Sequence, residues 1–313
     1  MAKIKIGLIG CGRWGRHILR DLVALNCEVA VASISQASRD AALQGGAVMA
    51  VAEAAQLPQA LDGYVVAVKT VKHYDVVCEL LPSGKPIFCE KPLTADARQA
   101  CDLATRAADQ LFVMDKWRYH PAIEAMAKLA RSGSLGKVQA IDCRRLQWGT
   151  SQSDVDLVWT VAPHELSIMQ HILGFIPAPR AATGEWNGER LEGITVLLGD
   201  CPHASTQISA RYPQHRREVR MTCEGGVVLM EDPYADHIDL YRIDAPCFPN
   251  SLPKPETLPV STEYPLLREL RQFCNYLDGG PPPLSNAVAA AQVVVAIEQI
   301  RDLALQSRAS CPP

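Results

Sequence analysis

The sequence has no C-x-x-C pair and no Cys/His group at zinc-ligand spacing, although it carries 11 cysteines. That excludes a zinc-finger or thioredoxin-like reading. The cysteines are scattered and odd in number, and several, such as Cys78 and Cys89, lie in apolar surroundings. They read as reduced residues of a reducing cytoplasm. No apolar run is long enough to span a membrane. The N-terminal MAKIKIGLIG enters a strand directly, without a signal-peptide pattern. No repeat or low-complexity tract appears. No excess of one charge sign is present either: the net charge is −3, which gives no electrostatic case for nucleic acid.

What remains is an ordinary globular composition, 48% hydrophobic and 21% charged over 313 residues, enough for two domains. The first third alternates strand and helix. Ile4–Ile9, Val29–Ala32, Tyr64–Val68, Pro86–Cys89 and Leu111–Met114 read as strands. A helix with Ile18, Leu19, Leu22 and Leu25 on one face follows the first of them. A second helix carries Val76, Val77, Leu80 and Leu81 and ends at Gly84. This alternation predicts a parallel, doubly wound α/β sheet.

Near residue 118 the pattern changes. Pro121 opens a helix, Val138–Leu146 reads as a strand, and 164–173 reads as a helix. Strand-like segments follow at 193–198, 204–212, 217–223, 226–230 and 237–243, at hairpin spacing. Helical patterns return at 264–277 and 285–307. Proline-dense stretches at 246–258 and 281–283 read as loops. The expectation is a Rossmann domain over 1–118 and an α+β domain over 119–313 with a mostly antiparallel open sheet, its C-terminal helix packing back on the first domain.

Residues 10–15, Gly-Cys-Gly-Arg-Trp-Gly, form a G-x-G-x-x-G between a strand and a helix, the context a dinucleotide site needs. Gly10 makes the turn, Gly12 admits a pyrophosphate, and Gly15 lets the helix pack on the strand. The helix N-terminus, with Arg13 and Trp14, faces the phosphates. The position expected to hold the adenosine ribose is near Ser33 and is not acidic. Ser33, Ser35 and Arg39 suit a 2′-phosphate, so NAD and NADP both stay open.

A second signal is "SGKPIFCEKPL". A buried strand ends by presenting Glu90, Lys91 and Pro92 in consecutive positions. Together with "GLIGCGRWG", His73, "WRYHPAIEAM…GSLGKV" and "SQSDVDLVWTVAPHELSIMQHILG", it resembles the glucose–fructose oxidoreductase / inositol dehydrogenase / rhizopine catabolism family over nearly the whole chain. The resemblance implies an NAD(P)-dependent oxidoreductase moving hydride between a sugar secondary alcohol and nicotinamide, without a metal. Lys91 would hydrogen-bond the reacting hydroxyl, held by Pro92, with a cis peptide at this place in many members. Glu90 would anchor the turn, and His164 would carry the proton, as an imidazole titrating near neutrality can. Relatives carry Asp four residues before the His. Here it is Thr160, which is read as a helix cap, with Glu165 or Asp156 as substitutes. The family's Thr-Pro-Asn after the fourth strand is Val68-Lys69-Thr70, so Lys69 adds a charge near the pyrophosphate or is a plain loop residue.

Within the family "YHPA", "QSDV" and "APHELSIM" look most like the nucleotide-sugar branch. The substrate this implies is UDP-N-acetylglucosamine, oxidised at its 3-hydroxyl. Arg118 and Arg144 would then bind phosphate, with Arg145 nearby, and Tyr119, Gln147 and Trp148 would touch sugar or base. A free sugar, sugar phosphate or polyol, a ketone or imine reductase, and a non-catalytic nicotinamide-binding regulator stay open. The open sheet implies a homodimer or homotetramer.

Overall fold

Strands buried on both faces are the start of the architecture. Lys5–Ile9 (β1), Glu28–Ala32 (β2), Met49–Val51 (β3), Gly63–Val66 (β4), Ile87–Glu90 (β5) and Leu111–Met114 (β6) form one parallel sheet in the order β3-β2-β1-β4-β5-β6. The order reverses between β1 and β4, the place where doubly wound sheets bind nucleotides. The computed structural model describes residues 3–149, 155–243 and 254–310. The "SQSD" of the motif at 151–154 and most of the proline-dense stretch at 246–258 lie outside the described residues.

The connections of this sheet are the helices Arg13–Ala24 (α1), Gln36–Gln44 (α2), His73–Leu80 (α3) and Ala97–Arg106 (α4). Ile18, Leu19 and Leu22 of α1 are buried, as their spacing predicts, and Gly84 ends the turn after α3 at φ 66°. The short strand β3 and the helices α2 and α4 carry weak apolar periodicity or few apolar residues and were not distinguished in the sequence.

By packing, the chain falls into two units, Met1–Lys116 with Tyr264–Val294, and Trp117–Glu263 with Val295–Pro313. The segment 264–294, contiguous in sequence with the second domain, therefore belongs with the parallel sheet. Its helix Pro265–Leu277 (α7) buries Leu266, Leu270 and Phe273 in the core of the first unit, and Phe273 stacks on Phe88 of β5 at 4.9 Å. Such a pair adds about 1 kcal/mol beyond area burial. The edge strand β6 is covered by residues 285–286, where the Val113 N–H donates to the Ser285 carbonyl at 2.9 Å.

In the second unit, Pro121–Ser132 (α5) and Leu157–Leu173 (α6) pack on each other. The sheet runs Glu256–Pro259 (β14), His237–Arg242 (β13), Gly226–Met230 (β12), Arg211–Cys223 (β11), Val138–Trp148 (β7), His203–Ser209 (β10), Arg190–Leu198 (β9), Pro179–Asn187 (β8). Every pairing is antiparallel except β10 with β7. The fold is thus α/β with a Rossmann sheet followed by a mostly antiparallel one. The 204–212 segment is in fact two strands, since β11 begins at Arg211 after a turn at Ala210. The final helix, Ala287–Ala309 (α8), begins in the first unit and ends in the second. No described helix is long and apolar enough to cross a membrane.

The helix read over 164–173 starts seven residues earlier, at Leu157. Proline is favoured in the first turn of a helix. Pro163 lies instead inside α6, whose N-cap is Asp156. Its missing N–H leaves the Trp159 carbonyl without the usual helical donor. His164 therefore sits two turns into a helix, directly after an interruption of its backbone bonding.

Candidate active site

The glycine loop lies on the carboxyl end of β1. Gly10 has φ +91°, and a Cβ there would meet the Ala67 carbonyl oxygen at 2.6 Å. A Cβ on Gly15 would lie 2.4 Å from the Gly10 carbonyl oxygen. A side chain at either position would collide with backbone. Gly12 differs: it is exposed, and a Cβ there would meet nothing within 4 Å. Its bareness serves no packing purpose and leaves room for a ligand's phosphates against the first turn of α1. The residues fit a dinucleotide. Arg13 is exposed beside Gly12. Lys69 is exposed too, one residue beyond the Ala67-Val68 backbone that abuts Gly10.

Ser33, half-buried after β2, donates its N–H to the Val51 carbonyl at 2.9 Å. Ser35 caps α2. Arg39 folds back on the same turn, donating from Nη1 to the Ser33 and Ile34 carbonyls at 2.7 Å each. The cation considered for a 2′-phosphate is spent on its own loop.

The end of β5 is tied to the glycine loop through Trp14. Its indole Nε1 donates to Glu90 Oε1, and the Lys91 N–H donates to Glu90 Oε2 at 3.1 Å. Glu90 thus anchors the turn. Burial raises its carboxyl above the ordinary range, and the ammonium of Lys91 opposes that rise. The Lys91–Pro92 peptide is cis. His73 holds the turn from the other side, with Nδ1 2.8 Å from the Pro92 carbonyl and Nε2 3.2 Å from the Val68 carbonyl. Burial lowers its pKa and keeps the ring neutral. One buried imidazole thereby joins the loops after β4 and β5. Lys91 itself is half-buried.

Sequence reading missed three neighbours of this turn. Lys116 Nζ stands 4.7 Å over the Trp14 ring, a cation–π contact. Asp115 is buried and accepts from the Ser285 hydroxyl at 2.8 Å. Glu269 of α7 is 1% exposed, and burial, then Glu90, raise its carboxyl well above the ordinary range. Glu269 had a legible signal: it shares the apolar face of α7 with Leu266, Leu270 and Phe273. A charge on such a face asks for a reason.

In the second unit His164 is buried on α6, its ring centroid 6.3 Å from that of Trp117. Trp117 stacks on His120 at 4.8 Å and lies under the Arg145 guanidinium at 4.5 Å. Arg145 in turn grips Glu165, with Nε–Oε1 2.6 Å and Nη2–Oε2 3.2 Å. Thr160 is not the helix cap expected of it. It lies inside α6 and its hydroxyl donates to the Leu157 carbonyl at 2.9 Å. The two carboxylates considered in place of the missing Asp are both committed to arginine: Glu165 to Arg145, and Asp156 to Arg301, whose Nε donates at 3.0 Å.

Of the residues expected at the substrate, Arg118 and Tyr119 are buried, and Arg118 donates to the Gln170 side chain. Strand alternation separates Arg144 from Arg145. Arg145 points to the face that α6 covers. Arg144 is exposed on the other face, where it pairs with Glu218 of β11 at 3.8 Å. The structure does not bring Arg144 to His164. Gln147 donates to the Gly149 carbonyl at 2.9 Å, and Trp148 is exposed. Among the described residues no group of three or more His, Cys, Asp or Glu is arranged to hold a metal ion.

A 3-2-1-4-5-6 parallel sheet with a bare glycine at its switch point is the doubly wound arrangement that binds dinucleotides, and a Lys-Pro turn lies beside it. In this chain, residues 4–114 match the model described as "Oxidoreductase family, NAD-binding Rossmann fold". Over 154 residues it is 30% identical to the rhizopine catabolism protein MocA of Rhizobium meliloti, covering 47% of this chain and 48% of that protein. It is 27% identical to D-apiose dehydrogenase of Paraburkholderia graminis, over 69% of this chain and 65% of that one. The matches thus span about half to two thirds of these curated relatives' length. The fold resembles UDP-N-acetylglucosamine 3-dehydrogenase from Acidithiobacillus ferrooxidans at 20% identity and TM-score 0.82, covering 97% of this chain and 98% of that one. It also resembles levoglucosan dehydrogenase solved with NADH and levoglucosan, at 14% identity and TM-score 0.84, with coverage of 97% and 98%.

Proposed function

We propose that the protein is an NAD-dependent dehydrogenase that oxidises a secondary alcohol of a sugar or polyol. The single observation that carries this reading is the turn at Glu90–Pro92. A half-buried lysine is fixed there by Glu90, His73 and Trp14, on the strand end beside the bare Gly12. A lysine so restrained suits an oxygen that gains negative charge in the transition state. NAD supplies the hydride acceptor when bound. Lys91 donates a hydrogen bond to the reacting oxygen, and His164 takes the hydroxyl proton. The interruption of α6 at Pro163 frees the backbone next to His164 from regular helical bonding.

The finer reading is oxidation of the 3-hydroxyl of UDP-N-acetylglucosamine, supported by the whole-length likeness to an enzyme of that name. One observation favours a free sugar or polyol instead. Arg118 is buried and donates to Gln170, and Arg144 lies on the sheet face opposite Arg145 beside Glu218, so the arginines expected to hold a diphosphate do not gather. The relatives by sequence include inositol and apiose dehydrogenases. Purified protein is mixed with NAD or NADP and with UDP-N-acetylglucosamine, myo-inositol, apiose or levoglucosan, and a carbonyl trap pulls the oxidation forward. Reduced nicotinamide with the nucleotide sugar alone supports the finer reading. Reduction with a free sugar or polyol alone supports the second. Tight NADH binding without turnover on any alcohol favours a nicotinamide-binding regulator and refutes the proposal. We also propose that the open sheet makes the protein a homo-oligomer, which sedimentation tests.

A further inference from the structure

Two of the cysteines, which read as inert core residues, lie together. Cys27 Sγ and Cys274 Sγ are 3.5 Å apart, 247 positions distant in the chain. Neither sulfur hangs on a loose element. Helix α1 ends in a Schellman motif: Asn26 takes φ 64°, its N–H donates to the Val23 carbonyl, and the Cys27 N–H donates to the Leu22 carbonyl at 3.1 Å. That motif fixes Cys27 at the entry to β2. Cys274 is buried in the last turn of α7, which packs on α1 in the same unit. A disulfide needs a sulfur separation of about 2.05 Å. The two thiols are held about 1.5 Å from bonding distance.

We propose that Cys27 and Cys274 form a reversible oxidation site, a dithiol that a peroxide converts into a disulfide clamping α7 to the α1–β2 turn. Cys27 is half-buried and reachable, whereas Cys274 is buried, so Cys27 meets the oxidant first. The two sulfurs share an S–H···S contact in which either can be the donor. That contact lowers the pKa of Cys27, and the same contact together with burial raises that of Cys274. In the first step the Cys27 sulfur attacks a peroxide oxygen and the O–O bond breaks. The hydroxide released leaves as water with the Cys27 proton, and Cys27 becomes a sulfenic acid. In the second, the Cys274 sulfur attacks the Cys27 sulfur. The S–S bond forms, the S–O bond breaks, and the second hydroxide departs as water with the Cys274 proton. Two thiols lose two electrons and one peroxide becomes two waters. A cellular thiol reverses the bond by exchange. Among the other described cysteines, Cys101 and Cys201 are exposed, Cys11, Cys89, Cys143 and Cys223 are buried, and the half-buried Cys78 accepts from Arg106 Nη1 at 3.5 Å.

The sequence makes the test unambiguous. Trypsin releases residues 21–39 and 272–301, each holding one cysteine, Cys27 in the first and Cys274 in the second. The folded protein is treated with one equivalent of hydrogen peroxide, its free thiols are blocked, and it is digested without reductant. The expected result is a cross-linked 21–39/272–301 peptide as the dominant disulfide, lost on adding dithiothreitol and diluted among other pairs when oxidation is done in urea. C274S is expected to accumulate a dimedone-reactive sulfenic acid at Cys27, and C27S to leave Cys274 unoxidised. Oxidation of the folded wild type that joins other cysteines, or that drives Cys27 to sulfinic acid with Cys274 still a thiol, would overturn the proposal. This mapping needs no variant to fold.

Discussion

Two glycines of one hexapeptide are predicted to fail in opposite ways when given a methyl group. Gly12 has a β-region backbone, φ −72° and ψ −161°, which alanine adopts without strain, and its Cβ position faces open space. Losing glycine's freedom in the unfolded chain contributes about 0.4–1 kcal/mol of stability. Alanine is a poorer N-cap than glycine, which costs a similar amount, roughly 0.5–1 kcal/mol. The two cancel, so Gly12→Ala is predicted to shift stability by less than about 1 kcal/mol in either direction. Gly15 lies inside α1, where alanine gains about 1 kcal/mol of helix propensity. Its Cβ, however, would stand 2.4 Å from the Gly10 carbonyl oxygen, a backbone atom that moves only with the loop. Overpacking of that kind costs up to about 3 kcal/mol, leaving a net loss of about 1–2 kcal/mol. Urea denaturation without cofactor reads the stabilities, and titration with NADH reads the site. Gly12→Ala is expected to keep its midpoint and to lose at least about tenfold in NADH affinity, close to 1.4 kcal/mol. Gly15→Ala is expected to lose midpoint. If Gly12→Ala binds NADH like wild type, the phosphates do not approach Gly12 and the reading of the loop is wrong.

The remaining predictions concern buried charge. Arg145 and Glu165, with side chains 7% and 2% exposed, form a two-bond ion pair. Arg145→Met should cost about 3–5 kcal/mol, because Glu165 is left buried and unmatched, and Glu165→Leu in the same chain should recover much of it; a loss under 1 kcal/mol in urea would contradict the pairing. Glu269 holds its proton above its unfolded value of 4.5. The stability tied to that proton is full below 4.5 and is lost as pH rises through the folded value. Glu269→Gln should therefore match wild type at low pH and outlast it at pH 8, and curves that stay parallel across that range would refute the assignment. His171 is lowered from 6.5 to about 4 by burial, with Arg118 and Arg131 adding to it. Wild type should lose stability as pH falls from 6.5 toward 4, and His171→Gln should flatten that limb.

Much of the Rossmann unit was legible in the sequence, because strands buried on both faces and a glycine loop in strand–helix context leave little choice of fold. Lys91 and its turn stood out for the same reason: charges at the end of a four-residue apolar run need an explanation. Less was legible where the determinant is distant in the chain. Residues 264–294 belong to the first unit through Phe273 on Phe88, which no local pattern announces. The pairing of Cys27 with Cys274 is likewise a product of α7 packing on α1. The helix read over 164–173 starts at Leu157, with Asp156 rather than Thr160 at its N-cap. Arg144 and Arg145 were grouped by adjacency, whereas a strand sends neighbours to opposite faces. Lys116 gave no sequence signal, since its importance lies in the Trp14 ring it meets.

The most direct test of the central claim is steady-state reduction of NAD by the purified protein on its best sugar or polyol, with Lys91→Ala beside wild type. The account predicts turnover by wild type, and for Lys91→Ala a fall in kcat of at least about a hundredfold with NADH affinity nearly unchanged. A Lys91→Ala enzyme that turns over within a few-fold of wild type would contradict it, and the turn at Glu90–Pro92 would then be scaffold rather than chemistry.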